Sequence, residues 1–180
     1  MQYLALLRGI NVGGNALIPM ATLRVALTEA GLQNVRTYIQ SGNVLFESTE
    51  EDQDKLTVLV HDTIKNRFDL DVAVVIFSKP DWQAVIATAP AWWGKDTSWK
   101  HNIIVMLKPY DMLQTVLAIG ELRPGIEKMQ AGLGVLYQSL SWDNFSKTTG
   151  GKLAAKPVYK QMTVRNYNTA TKLLTLLEAS

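Results

Sequence analysis

The sequence predicts an α+β protein made of two halves in tandem, each a mainly antiparallel sheet with helices packed on it. Three observations carry that expectation. Over the first 78 residues, apolar runs and helical periodicities follow the order strand, helix, strand, strand, helix, strand. From His101 onward a looser version of that order returns. Between them lies the stretch Lys79 to Lys100, which holds Pro80, Pro90, Trp82, Trp92, Trp93 and Trp99. The order βαββαβ is the ferredoxin-like arrangement. The expected organisation is therefore a ferredoxin-like half over 1–78, a Trp-rich helix and link over 79–100, and a modified ferredoxin-like half with a C-terminal helix over 101–180.

Gln2 to Leu7 is almost wholly apolar and reads as a buried strand. After the loop Gly9 to Pro19, residues Leu23, Ala26, Leu27 and Ala30 recur at helical spacing and Gly31 ends the helix. Val35 to Gln40 and Val44 to Glu47 are strands split by the hairpin signal Ser41-Gly42-Asn43. A helix is expected over 50–68, with Glu50, Glu51 and Asp52 at its start and Lys65 and Arg67 near its end, as the helix dipole favours. Val72 to Phe77 is the next strand, and Asp81 to Thr88 a helix. The second half reads as a strand over 101–107, a helix over 111–119 capped by Asp111, and a hairpin of 127–131 and 135–140 around Gly132-Leu133-Gly134. A short glycine-interrupted helix over 143–154 and an amphipathic helix over 169–179, with Asn168 as its cap, complete the chain.

Composition narrows the function. The 18 basic and 16 acidic residues leave a net charge of +2, too little by itself for the clustered basic face of non-specific nucleic-acid binding. The absence of cysteine excludes disulfides, thiolate nucleophiles and cysteine-bound zinc, and fits a reducing compartment. His61 and His101 stand far apart in sequence, so no metal centre is expected. The first apolar run stops at Arg8 without a basic start, unlike a signal peptide, and no stretch approaches the roughly 20 apolar residues of a membrane span. The expectation is a cytoplasmic protein with no membrane association and no cofactor.

The opening run, Leu6-Leu-Arg-Gly-Ile-Asn-Val-Gly-Gly14, takes a strand into an arginine and a glycine-rich loop ahead of a helix. Gly9 and Gly14 have the spacing of a phosphate-cradling loop, and the strand-then-helix context matches. The lysine and hydroxyl that should follow are replaced by Asn15 and Ala16, which removes the groups that reach terminal phosphates and magnesium. Gly9, Gly13 and Gly14 do not fit the dinucleotide fingerprint either. The simpler reading is that these glycines permit positive φ in a tight connection.

The block Thr163-Val-Arg-Asn-Tyr-Asn-Thr169 precedes a helix whose first acid is Glu178, while Arg165 and Lys172 lie at its start. Basic residues at a helix N-terminus add to a positive field that a bound anion would relieve. An internal carboxylate partner for Arg165 and a solvent-facing Lys172 are the plain alternative.

Alternation places Arg36, Tyr38 and Gln40 on one strand face, a candidate recognition surface of the kind that stacks bases in one ferredoxin-like RNA-binding module. An ordinary solvated face is the plain alternative. The tryptophans Trp82, Trp92, Trp93 and Trp99 would line a pocket or, more simply, fasten substructures through buried area. Ser146-Lys-Thr-Thr-Gly-Gly-Lys152 reads as a basic loop whose Lys147 and Lys152 could close over an anion. No nucleophile, base and acid stand at a readable spacing, so an enzyme is the least favoured class.

Three blocks, 6–14, Thr37-Tyr-Ile-Gln-Ser-Gly-Asn-Val44 and 163–169 with Lys172-Leu173, together resemble the bacterial domain of unknown function 1697 family across the whole chain. The resemblance implies a small, stand-alone cytosolic α+β protein and brings no activity or catalytic residue with it. The family pattern usually carries tryptophan where Tyr167 stands, and both are flat aromatics. The functional expectation is an anionic, phosphate-bearing small molecule held by Arg8, Gly9, Asn11, Gly13, Gly14, Arg165, Asn166 and Lys172. The alternative is a nucleic-acid-binding module using Arg36, Tyr38 and Gln40. Oligomeric state is not legible.

Overall fold

In the computed structural model, which describes residues 1–13 and 16–179, the chain divides into two compact units, Met1–Gln83 with Leu173–Ser180, and Ala84–Lys172. The first unit contains β1 (Gln2–Leu7), α1 (Met20–Glu29), β2 (Gln33–Tyr38), β3 (Asn43–Glu47), α2 (Gln53–Phe68) and β4 (Val74–Ser78). Its four strands lie in the order β2-β3-β1-β4 with every neighbour antiparallel. That is the ferredoxin-like order the sequence predicts.

Both faces of β1 are buried, which is why its sequence is a continuous apolar run rather than an alternating one. Tyr3, Ala5 and Leu7 join Val44, Phe46, Val74 and Ile76 on the face covered by Leu23 and Leu27 of α1 and Leu56, Val60 and Ile64 of α2. Tyr3 and Phe46 stack at 5.5 Å on that face. Helix α2 starts at Gln53, since Asp52 caps it by accepting from the amides of Asp54 and Lys55. Strand β2 slips register between Gln33 and Arg36, where Asn34 has φ 50°.

Helix α3 (Lys79–Ala87) follows β4 and starts two residues earlier than expected, with Asp81 accepting from the hydroxyl and amide of Ser78. Helix α5 (Tyr167–Glu178) closes the chain.

The second unit holds β5 (Trp99–Met106), α4 (Met112–Ile119), β6 (Glu127–Ala131), β7 (Val135–Ser141) and β8 (Met162–Asn166), in the order β6-β7-β5-β8. Strand for strand this is the topology of the first sheet. Three short 3-10 stretches over 145–161 stand where the first unit has α2, so the expected glycine-interrupted helix is 3-10 in character. Asp111 caps α4, as its sequence predicts. Ile104, Met106, Leu136 and Met162 pack with Ile119, Leu153 and Val158 to make this unit's core.

Glu127 is the hinge of this packing. Its buried carboxylate accepts from the amides of Arg123, Thr149 and Gly150, which ties the 3-10 segment to β6. Strand β8 was not expected, and α5 begins at Tyr167 rather than Thr169. The cap is Asn166, whose Oδ1 accepts from the amide of Thr169, and Asn168 lies inside the first turn. The strand passes into the helix with no intervening loop, so the last strand residue does the capping.

Candidate functional site

The opening loop is organised by its own side chains. Asn11, with φ 53°, donates through Nδ2 to the carbonyls of Ile18 and Gln40 and accepts at Oδ1 from the Ile18 amide. Its amide group is thus engaged in closing the loop on itself and on the segment after β2. Gly9 and Gly13 take φ 70° and 64°, in line with the reading that the loop needs left-handed backbone. Arg8 is half-buried, and its amide donates to Ala73. Gly14 and Asn15 lie outside the described residues.

The proposed sheet-face strip does not form as one surface. Strand β2 ends at Tyr38, because Ile39 turns into left-handed backbone at φ 50° and carries Gln40 off the strand. The Arg36 guanidinium donates to the Leu176 carbonyl near the end of α5, a placement the helix dipole favours.

In the second unit, successive residues of β8 point to opposite faces. Arg165 is 7% exposed and donates to the Thr163 hydroxyl and the Val164 carbonyl at 2.8 Å each. Burial pulls its guanidinium down to about 10, with Tyr159 opposing, so it remains a cation at neutral pH. Asn166 projects the other way and lines a cleft of about 360 Å³ with Tyr167 and Asn168. Arg165 and Lys172 are not among the residues lining it.

That cleft is built from the start of β5 and the start of α5. Trp99, Lys100, His101 and Trp142 complete its walls, with Gly94, Asp96 and Thr97 along one side. Tyr167 is fixed by its neighbours: it stands edge-on to Trp93, which is itself edge-on to Tyr137 and donates from its indole nitrogen to the Asn102 carbonyl. Asp96 accepts from the amide and hydroxyl of Ser98, and the hydroxyl bond leads the causes that hold its carboxyl below the usual range. The Lys100 ammonium stands 5.6 Å from the Trp142 ring centroid and 4.9 Å from that of Phe145. Among the described residues it has no carboxylate partner.

His101 bonds Ser139 through Nδ1 at 2.6 Å and the Asp96 carbonyl through Nε2 at 2.7 Å. A carbonyl only accepts, so Nε2 carries a hydrogen. The pair has the atoms of an activated hydroxyl, yet Ser139 is 1% exposed and out of reach of a substrate. His101 therefore holds the wall in place. Elsewhere, His61 of α2 sits between Asp62 and Asp71, and Lys147 and Lys152 are exposed side chains of the 3-10 stretches over 145–161. Trp82 packs edge-on to Phe77 in the first unit. Among the described residues no cluster of histidines and carboxylates could hold a metal ion, and no helix is long and apolar enough to cross a membrane.

Among the described residues, Asn166 is the one expected ligand residue that lines this cleft. Sequence reasoning missed Lys100, Trp142, Tyr167 and Asn168: the β5–β7 pairing sets Trp142 beside the start of β5, and the unexpected β8 brings Tyr167 and Asn168 to the same place. The available signal was Trp99-Lys100-His101, an aromatic, a cation and an imidazole in succession at a strand start.

The profile of a family described as protein of unknown function, DUF1697, matches residues 1–137 of the chain. The solved structure of a conserved bacterial protein from Streptococcus pneumoniae is similar throughout, with 31% identity, a TM-score of 0.87 and 98% of each chain covered. No curated protein matches the chain.

Proposed function

The chain belongs to the DUF1697 family, a family defined as proteins of unknown function, and we propose that its second half binds an anionic small molecule in the cleft at the start of α5. The observation that carries this reading is Lys100: a cleft-wall ammonium without a carboxylate partner among the described residues. An unneutralised cation in a concave site favours a ligand of opposite charge. The first-turn amides of Tyr167 and Asn168 have no acceptor within the helix, and the positive end of the helix dipole adds to the same field. The one acid of the cleft wall, Asp96, is turned to Ser98. The reading is of binding rather than turnover, since the hydroxyl beside His101 is buried.

Thermal unfolding at fixed ionic strength, with ribose 5-phosphate as probe, tests it. A ligand at one hundred times its Kd stabilises the folded form by about 2.7 kcal/mol, a shift of several degrees. Lys100→Met should abolish that shift. Absence of any concentration-dependent shift, or an equal shift in Lys100→Met, would remove the proposal.

A further inference from the structure

We infer that the ligand of this cleft is of the mononucleotide class: a flat heteroaromatic ring joined to a phosphate, with the ring against Trp142 and the phosphate beside Lys100. This rests on the anion-binding reading above and adds the ring. Three of the lining residues, Trp99, Trp142 and Tyr167, are aromatic. Trp142 is the telling one. It is 53% exposed, although its indole is among the most costly surfaces to leave in water. Phe145 stacks beside it, with ring centroids 6.2 Å apart and planes 29° apart, and the Lys100 ammonium stands 5.6 Å from the Trp142 ring centroid, so the indole is held in orientation while about half of the residue stays exposed. Exposed aromatic faces of this kind stack bases in single-stranded nucleic-acid sites.

The other walls are rigid. Tyr167 is wedged between Trp93 and the backbone of Gly94, where even a methyl group would collide with its ring. The Lys128 ammonium stands 5.2 Å from the Trp99 ring centroid, which holds that indole. A rigid aromatic wall loses little entropy on binding. Volume sets the size class. About 360 Å³ is at the small end of ligand sites and matches one base with its sugar and phosphate.

Calorimetric titration of the full chain with adenosine monophosphate, uridine monophosphate, adenosine, ribose 5-phosphate and a single-stranded hexanucleotide tests the inference. The monophosphates should bind tighter than ribose 5-phosphate by between about 5-fold and about 150-fold, the range that stacking on one aromatic side chain contributes. Trp142→Ala should bring the ratio of monophosphate to ribose 5-phosphate affinity down to about one. Trp142 is exposed, and an unchanged melting temperature of the variant verifies its fold. Equal binding of ribose 5-phosphate and the monophosphates would overturn the ring while leaving the anion reading intact. Equal binding of adenosine and its monophosphate would overturn the anion reading. No binding by any probe would overturn both, and a much tighter hexanucleotide would overturn the size class in favour of single-stranded nucleic acid.

Discussion

Tyr167 stands edge-on to Trp93, with ring centroids 4.8 Å apart and planes at 77°, and the backbone of Gly94 leaves the gap that admits the phenol ring. A Cβ on residue 94 would lie 2.1 Å from the Tyr167 ring, and φ there is +79°. Gly94→Ala therefore combines overpacking with left-handed strain. It should destabilise the protein by about 2–4 kcal/mol in chemical denaturation. It should also weaken ribose 5-phosphate binding, because the ring it displaces is a wall of the cleft.

Asn11 closes the opening loop through three side-chain hydrogen bonds while sitting in left-handed backbone. Asn11→Gly keeps the backbone conformation and loses the bonds; Asn11→Ala loses both. The expected costs are about 1–2 kcal/mol for Gly and about 1 kcal/mol more for Ala, read as a graded fall in the urea midpoint. Equal midpoints for the two variants would show that the backbone conformation is not maintained by this residue.

Ile39 is a β-branched residue at φ 50° and is half exposed, so its side chain returns little burial for the strain. Ile39→Asn should raise stability by about 1 kcal/mol, since Asn adopts left-handed backbone readily. A fall in stability would indicate that the exposed isoleucine packs on a surface the isolated chain retains.

Glu127 accepts three backbone amides with its buried carboxylate. Glu127→Gln replaces one acceptor oxygen by a donor that faces an amide hydrogen. The cost should be about 2–3 kcal/mol. Amide hydrogen exchange should quicken at Thr149 and Gly150 before it does in β7.

His61 bonds the carboxylates of Asp71 and Asp62, and these bonds raise its imidazole above the ordinary value near 6.5. The proton is thus held more tightly in the folded state. The stabilisation is fully present below pH 6.5 and fades as pH rises through the raised value. Proton NMR of the C2 position should show His61 titrating above that value, and Asp71→Asn should bring it down. An unchanged midpoint in Asp71→Asn would refute the assignment.

The first half was legible because its strands are buried on both faces or end in clear turn chemistry, as Leu4 to Leu7 and Ser41-Gly42-Asn43 illustrate. Strand β8 was not. Met162-Thr-Val-Arg-Asn166 has only two large apolar residues, and its burial of Arg165 reverses what an arginine signals in isolation. Missing that strand also moved the cap of α5 by two residues, from Asn166 to Asn168. The cleft was hidden for the same reason. Lys100 and Asn166 are distant in sequence and come together only through the β5–β8 pairing of Asn102 with Asn166. Gly9 and Gly13 do take the left-handed backbone that glycine permits, but no spacing rule indicates that Asn11 bonds Gln40.

The slipped register at Asn34 bears on how the chain behaves among its own copies. Strand β2 is an outer strand of its sheet, and the slip together with Arg36 interrupts the row of amides and carbonyls it would otherwise present. Strand β6, the matching outer strand, has five residues and carries Lys128. Short, kinked or charged borders make poor templates for a foreign strand. An outer antiparallel strand would otherwise invite the stepwise recruitment that ends in fibrils, and at β2 and β6 these features discourage its first step.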